Sequence, residues 1–200
     1  RCRTKARIYH GECRADHQPR YLERIYNMAT KHLSDLLRAA GITTLRELPT
    51  DRVVAGIEFD SRKVKTGNLF IAIRGLKSDG HQYVSEAIER GAVAIVVGES
   101  LPDISASIPQ VLVSDGRAAL ADLACAFYND PTRELFTTGV TGTKGKSSVC
   151  HMSAEVLGRK RTVLISTITN ALERGVEQTT PESSTIQRIA KLRNSHGLCW

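Results

Sequence analysis

The stretch "GVTGTKGKSSVCH", residues 139–151, sets three glycines, two lysines and two serines in one short segment. Its flanks give it meaning. "LFTTGV" (135–140) reads as a strand. "SSVCHMSAEVLG" (147–158) reads as a helix with Val149, Met152 and Val156 on one face. Strand, glycine loop and helix in that order form the phosphate-holding corner of a nucleotide-binding α/β fold. The strict pattern GxxxxGK[ST] is not met, because Val140 occupies the first glycine position. Gly142, three residues before Gly145, takes its part. Both glycines permit a tight turn that aims backbone N–H groups inward. In such a loop Lys146 contacts the β- and γ-phosphates, and the Ser147 hydroxyl is a Mg²⁺ ligand. The plainer alternative is a glycine-rich turn with a solvated lysine.

Working outward, "RTVLIST" (161–167) reads as a further strand and "ESSTIQRIAKLR" (182–193) as a helix. The unit from 134 to 200 is thus β-loop-α-β-α, the opening of a nucleotide-binding sheet. Upstream, "HLSDLLRAAGI" (32–42) carries Leu33, Leu36, Leu37 and Ala40 on one face and stops at Gly41. "VVAGIEFDSR" and "GNLFIAIRG" follow, the second with a continuous apolar run from Leu69 to Ile73, as in a buried parallel strand. "HQYVSEAIERG" is a helix with Val84, Ala87 and Ile88 on its inner face. "AVAIVVGE" and "PQVLVSD" are further strands, and "GRAALADLACAFYN" is an alanine-rich helix closed by Pro131. Alternating strands and helices imply an α/β domain with parallel pairing. The expected organisation is a small first α/β unit over 28–130, a link at "NDPTRE", and a second, incomplete unit over 134–200.

The net charge of +7 is unevenly placed. Residues 1–27 hold seven Arg or Lys against three acids, so the rest of the chain supplies only three of the surplus. This basic leader reads as disordered or non-native, with Met28 as a start, rather than as a nucleic-acid patch. Five cysteines are scattered without a CxxC pair, which fits a reducing cytoplasm. Cys2, His10, Cys13 and His17 match no standard zinc spacing. No apolar run approaches the roughly 18 residues needed to span a bilayer. Specific nucleic acid and membrane insertion are therefore not expected as partners, and the oligomeric state is left open.

Three segments, taken together, carry a resemblance. "GVTGTKGKSS" resembles the shortened TGTNGKT loop of the Mur ligases. "DSRKVKTGNLFIAIRGLKSDGHQYVSEAIERGAVAIVV" (60–97) resembles their UDP-binding N-terminal domain. "TTPE" (179–182) resembles the segment that meets the muramoyl substrate in the branch adding a diamino acid. They occur in the family's order and spacing over roughly 33–192. The resemblance implies an ATP-driven amide ligase of peptidoglycan precursor synthesis. Its substrates would be UDP-N-acetylmuramoyl-L-Ala-D-Glu and a diamino acid, joined through an acyl phosphate, with ATP and Mg²⁺ as cofactors.

By the same resemblance, Gly142, Thr143, Lys144, Gly145, Lys146, Ser147 and Ser148 hold ATP, with Lys146 catalytic and Ser147 on the metal. Phe59 and Ser61 contact the uridine moiety, and Leu76, Lys77 and Ser78 form the next uridine-side loop. Gln178, Thr179 and Thr180 contact the muramoyl peptide. Local readings stand beside these. Asp60-Ser61-Arg62 suits a strand-ending turn, Asp79-Gly80 a structural turn, and His81 a helix-start position. Thr179 and Thr180 suit a helix cap before Pro181 and Glu182. Lys144 and Gln178 each replace a usual Asn. Ser195–Leu198 resembles a later family "SSHGL". The family continues well beyond, with a metal-site glutamate, a carbamylated lysine and a C-terminal domain. The expectation is therefore a truncated form that is inactive alone. The alternative is a non-catalytic module binding a nucleotide or UDP-sugar. A folate-type amide ligase is opposed by the "DSR…GNLFIAIRG…DGH" block.

Overall fold

The computed structural model describes residues 30–43, 50–75, 78–158, 162–166 and 181–196. The chain opens with a short strand β1 (Lys31–His32) running into helix α1 (Leu33–Ala39). The expected inner face holds: Leu33, Leu36 and Leu37 are buried. Gly41, at φ 69°, turns the chain, and the Ile42 N–H donates back to the Leu37 carbonyl. Strand β2 (Val53–Val54) pairs antiparallel with β1.

The core is a four-stranded sheet made of β3 (Gly56–Glu58), β4 (Asn68–Ile71), β5 (Ala94–Val97) and β6 (Gln110–Leu112). Its spatial order follows the sequence, and every neighbouring pair is parallel. A parallel sheet needs cover on both faces, and side chains alternate between them. Ile57, Leu69, Ile71, Ala94, Val96 and Val111 pack with α1 and with helix α3 (Gly116–Tyr128). Phe70, Ile95 and Val97 pack on the opposite side with Val84 and Ala87 of helix α2 (Val84–Glu89), and with Leu101, Ile104 and Ile108 from the β5–β6 connection. The result is helix, sheet, then helix and loop. All three long apolar segments expected as strands are present, although "LFIAI" leaves the sheet after Ile71.

Two local devices set the connections. Gly91 has φ 101°, and a Cβ there would lie 2.8 Å from the Thr66 Cα, so only glycine ends α2 against the turn before β4. Asp115 caps α3 by accepting from the N–H groups of Arg117 and Ala118 at 2.8 and 3.1 Å. At its other end α3 stops at Asn129, φ 62°, two residues before Pro131. There the Lys31 ammonium donates to the Ala126 carbonyl and the Asn129 amide oxygen.

Beyond a 3₁₀ turn at Pro131–Glu134 lie helix α4 (Lys146–Leu157) and helix α5 (Ser183–His196). Both helices match the sequence reading. Of the strands expected at 135–140 and 161–167, residues 135–140 and 162–166 carry no sheet pairing among the described residues, and 161 and 167 lie outside them. A lone strand leaves its N–H and C=O groups unpaired, and neither segment has a neighbour strand among the described residues. Phe136 is accordingly 92% exposed, and α4 buries only Ala154. The basic leader and Met28 lie outside the described residues.

Leu120 is fully buried in the α3–sheet layer, whereas Val156 on α4 is 87% exposed. Leu120→Ala is expected to lower unfolding free energy by about 2–5 kcal/mol in a urea titration. Val156→Ala is expected to stay within about 0.5 kcal/mol of the parent.

Candidate functional site

Ligands of open parallel sheets bind outside the carboxyl ends of the strands. Here that edge carries the segment after β3, the 73–80 turn, Gly98 and the start of α3. After β3, Asp60 caps a 3₁₀ turn, Ser61–Lys63, by accepting from the Arg62 N–H. The Arg62 guanidinium grips both Asp60 oxygens at 2.9 Å. These Arg62 hydrogen bonds, ahead of other causes, hold the Asp60 carboxyl below the usual carboxylate range. The local turn reading of Asp60-Ser61-Arg62 is thus what the backbone does.

Ser61 is buried and its hydroxyl donates to Glu86 Oε2 at 2.8 Å. Arg90 Nε donates to the other Glu86 oxygen at 3.0 Å, and its Nη1 donates to the Arg62 carbonyl at 3.4 Å. The Ser61 hydroxyl proton is therefore committed to the protein, which leaves the oxygen as an acceptor. Phe59 is half-buried and packs against the core.

The second turn closes through a bridge between Arg74 and Asp79, with the Gly80 N–H donating to the Ile73 carbonyl. Leu76 and Lys77 lie outside the described residues. Asp79 accepts from the His81 N–H at 3.0 Å and meets His81 Nδ1 at 2.6 Å. The His81 Nε2 accepts from the Gly98 N–H at 2.9 Å. An acceptor role at Nε2 places the ring hydrogen on Nδ1, toward Asp79. His81 is a staple between the turn and β5, in line with the structural reading of Asp79-Gly80 and His81. The backbone N–H of His81 is the largest cause lowering the Asp79 carboxyl from its ordinary value.

The glycine loop lies at the head of α4. Gly142 has φ 148° and Gly145 φ 82°. Neither would crowd a Cβ below 3.7 Å, so the backbone conformation and not space demands glycine. Lys146 is the first helical residue, and its ammonium donates to the Gly142 carbonyl at 2.5 Å and approaches that of Thr143 at 3.5 Å. The lysine thus folds over its own loop. Ser147 is half-buried, and Thr143, Lys144 and Ser148 are exposed. Gly142 to Ser148 form one contiguous surface. No hydrogen bond among the described residues ties it to Phe59 or Ser61.

Gln178, Thr179 and Thr180 lie outside the described residues. Helix α5 begins two residues later than a Thr180 cap would place it, with the Glu182 carbonyl accepting from Thr185 and Ile186. Its buried stripe, Ser184, Gln187 and Ala190, packs on α3, and Pro181 just before the helix is buried as well. Gln187 Nε2 lies 3.0 Å from Cys125 Sγ and 3.2 Å from Thr132 Oγ1. Arg117 meets Glu182 at 3.5 Å, and Arg188 meets the buried Glu58 at 3.9 Å. Sequence reasoning passed over Glu58 and Arg188. The available signal was an acid in the otherwise apolar "GIEF", since a strand residue buried on both sides needs a charged partner.

A four-stranded parallel sheet covered by helices, followed in the chain by a glycine loop that opens a helix, defines an α/β protein. The chain belongs to the Mur ligase family: "Mur ligase family, catalytic domain" matches residues 53–128 and "Mur ligase middle domain" residues 140–197, together about two-thirds of the chain. The family uses ATP. The UDP-N-acetylmuramoyl-L-alanyl-D-glutamate–2,6-diaminopimelate ligase of Bacillus licheniformis is 40% identical over 167 residues, which are 78% of this chain and 34% of that relative. The UDP-N-acetylmuramyl-tripeptide synthetase of Treponema pallidum is 41% identical over 150 residues, 72% of this chain and 28% of its own length. This chain therefore spans about a third of the length of the curated relatives it matches. Among solved structures, the UDP-N-acetylmuramoylalanyl-D-glutamyl-2,6-diaminopimelate–D-alanyl-D-alanyl ligase of Acinetobacter baumannii shares the fold. It has a TM-score of 0.56 at 20% identity, over 84% of this chain and 35% of that one. No helix of the described residues is long and apolar enough to cross a membrane.

Beside Glu58 and Arg188, Tyr128 is partly buried against the core. Burial, ahead of the opposing effect of Arg188, pushes its hydroxyl from 10.0 up to about 12. A raised folded value means that the contribution to stability is complete below pH 10 and is lost as pH rises toward 12. Thermal melts should therefore show the parent losing stability relative to Tyr128→Phe across that window, with a constant difference below it.

Proposed function

We propose that the chain is the uridine-substrate unit (28–130) and the nucleotide-loop unit (134–200) of a cytoplasmic ATP-dependent ligase. The ligase joins a diamino acid to UDP-N-acetylmuramoyl-L-Ala-D-Glu. The observation that supports this most is the loop from Gly142 to Ser148, two glycines at positive φ opening α4 with Lys146 at its first position. Phe59 and Ser61 on the carboxyl edge of the first sheet face the uridine moiety. Thr179 and Thr180, with Gln178, meet the muramoyl peptide.

In this reading a substrate carboxylate oxygen attacks the γ-phosphorus of ATP, and ADP leaves. The amine of the diamino acid then attacks the carbonyl carbon of the acyl phosphate. Phosphate departs, the nitrogen loses a proton, and an amide remains. Phosphoryl transfer of this kind depends mainly on positioning and charge neutralisation. Gly142, Thr143, Gly145 and Ser148 present backbone N–H groups at a helix N-terminus. Lys146 gives up its bonds to the Gly142 and Thr143 carbonyls and turns its ammonium to the phosphate oxygens. Lys144 adds a second cation beside them. The half-buried Ser147 hydroxyl is a hard oxygen donor of the type Mg²⁺ takes, and would hold the ion there. When bound there, the ion would neutralise phosphate charge.

A second reading, a binding module without turnover, is favoured by one observation. Among the described residues the first sheet pairs four parallel strands, whereas no strand pairing is present beyond Pro131.

Isothermal titration of the chain with ATP and with UDP-N-acetylmuramoyl-dipeptide, alongside phosphate release with a diamino acid present, separates the two. The ligase reading expects Lys146→Ala to weaken ATP binding by at least about tenfold while leaving the UDP-substrate affinity unchanged. Equal ATP affinity in the parent and the variant would remove this loop from the reading. Binding of both ligands with no phosphate release would leave the module.

A further inference from the structure

Helix α5 follows the glycine-loop unit in the sequence, yet it packs on α3 of the first unit through a stripe of small and polar residues, Ser184, Gln187 and Ala190. Such a stripe supplies little apolar area. Specific polar links therefore matter more to its seating. Three run along it: Glu182 to Arg117, Gln187 to Cys125 and Thr132, and Arg188 to Glu58.

Two of these links land at the carboxyl edge of the first sheet. Glu58 ends β3 and is bonded directly to Phe59, which leads into the Asp60–Lys63 turn. Arg117 lies in the first turn of α3, which begins just beyond the end of β6. Glu58 exposes 8% of its side chain and Arg188 28%, so their attraction is weakly screened compared with that of a surface pair. Removing one partner of a buried ion pair is strongly destabilising, because the remaining charge is left uncompensated.

We propose that Arg188 is a positioning residue: through Glu58 it sets the end of β3 and the turn that carries Phe59 and Ser61, with Arg117–Glu182 holding the start of α5 in register. The second unit thereby preorganises the first unit's crevice. Without the clamp the turn samples other arrangements, and the competent fraction, and with it the apparent affinity, falls. This inference rests on the reading that the crevice takes a uridine nucleotide.

The test uses the full 200-residue chain, with UDP as probe by titration calorimetry and ATP as the control ligand. Arg188→Met and Glu58→Gln should each weaken UDP binding by about tenfold, and the double variant should be no weaker than either single one, as for residues acting through one another. Arg188→Lys, which keeps the charge, should recover most of the affinity. ATP affinity should move by less than about twofold in every variant. Amide exchange should quicken over residues 59–63 and stay unchanged in β5. Should Arg188→Met fail to fold, Glu58→Gln and Arg188→Lys decide the matter. Folded variants that bind UDP as tightly as the parent would overturn the clamp while leaving the uridine reading intact. A parent chain that binds ATP but not UDP would remove the uridine reading, and the clamp with it.

Discussion

The two-sided burial of one short parallel sheet is the constraint on which the rest depends. No strand in it exceeds four residues, so the ladder alone cannot hold it together. What holds it is cover. Phe70, Ile95 and Val97 lie under α2 and the β5–β6 connection, while Leu69, Ile71 and Val96 lie under α1 and α3. Once both faces are filled, only the edges remain for chemistry, and the carboxyl edge is where the connections place turns and not helices. The Asp60–Arg62 grip, the Glu86–Ser61–Arg90 group and the His81 staple all stand there. Each satisfies polar groups that the approach of backbone to backbone would otherwise strand.

The second unit obeys a different balance. Its helices form, but α4 leaves Val149, Met152, Val156 and Leu157 in solvent. Its glycine loop needs no sheet to take its shape, because positive φ at Gly142 and Gly145 is a local property. The loop's geometry is thus independent of whether the strand before it is paired. Helix α5 finds its surface on the first unit instead, through Ser184 and Gln187 rather than through leucines. A polar contact of this kind resembles an interface between domains more than a core. It links the two units without merging them.

Much of this was legible in the residues. The apolar runs at 69–73, 94–97 and 111–113 announced buried strands, and Gly41, Gly91 and Pro131 marked helix ends at the right places. The glycine loop and its helix were legible from spacing alone. The strands expected at 135–140 and over the described residues 162–166 find no pairing for a physical reason. Apolar composition marks a segment suited to a sheet, but pairing requires a neighbour that composition cannot supply. The turn at Asp60-Ser61-Arg62 was readable as a turn. The commitment of the Ser61 hydroxyl to Glu86 was not, since the two are 25 residues apart.

By itself, then, the sequence determined the α/β class, the element order of the first unit and the glycine loop, because these follow from local periodicity, φ preference and motif spacing, while the family followed from the resemblance of three segments to known ones. Tertiary structure alone decided which unit α5 joins, where the Arg188 charge goes, and that His81 is a staple. Those outcomes depend on pairs distant in the chain, Glu58 with Arg188 and Arg117 with Glu182. A buried carboxylate selects its cation by proximity in space, and no spacing in the chain encodes that choice.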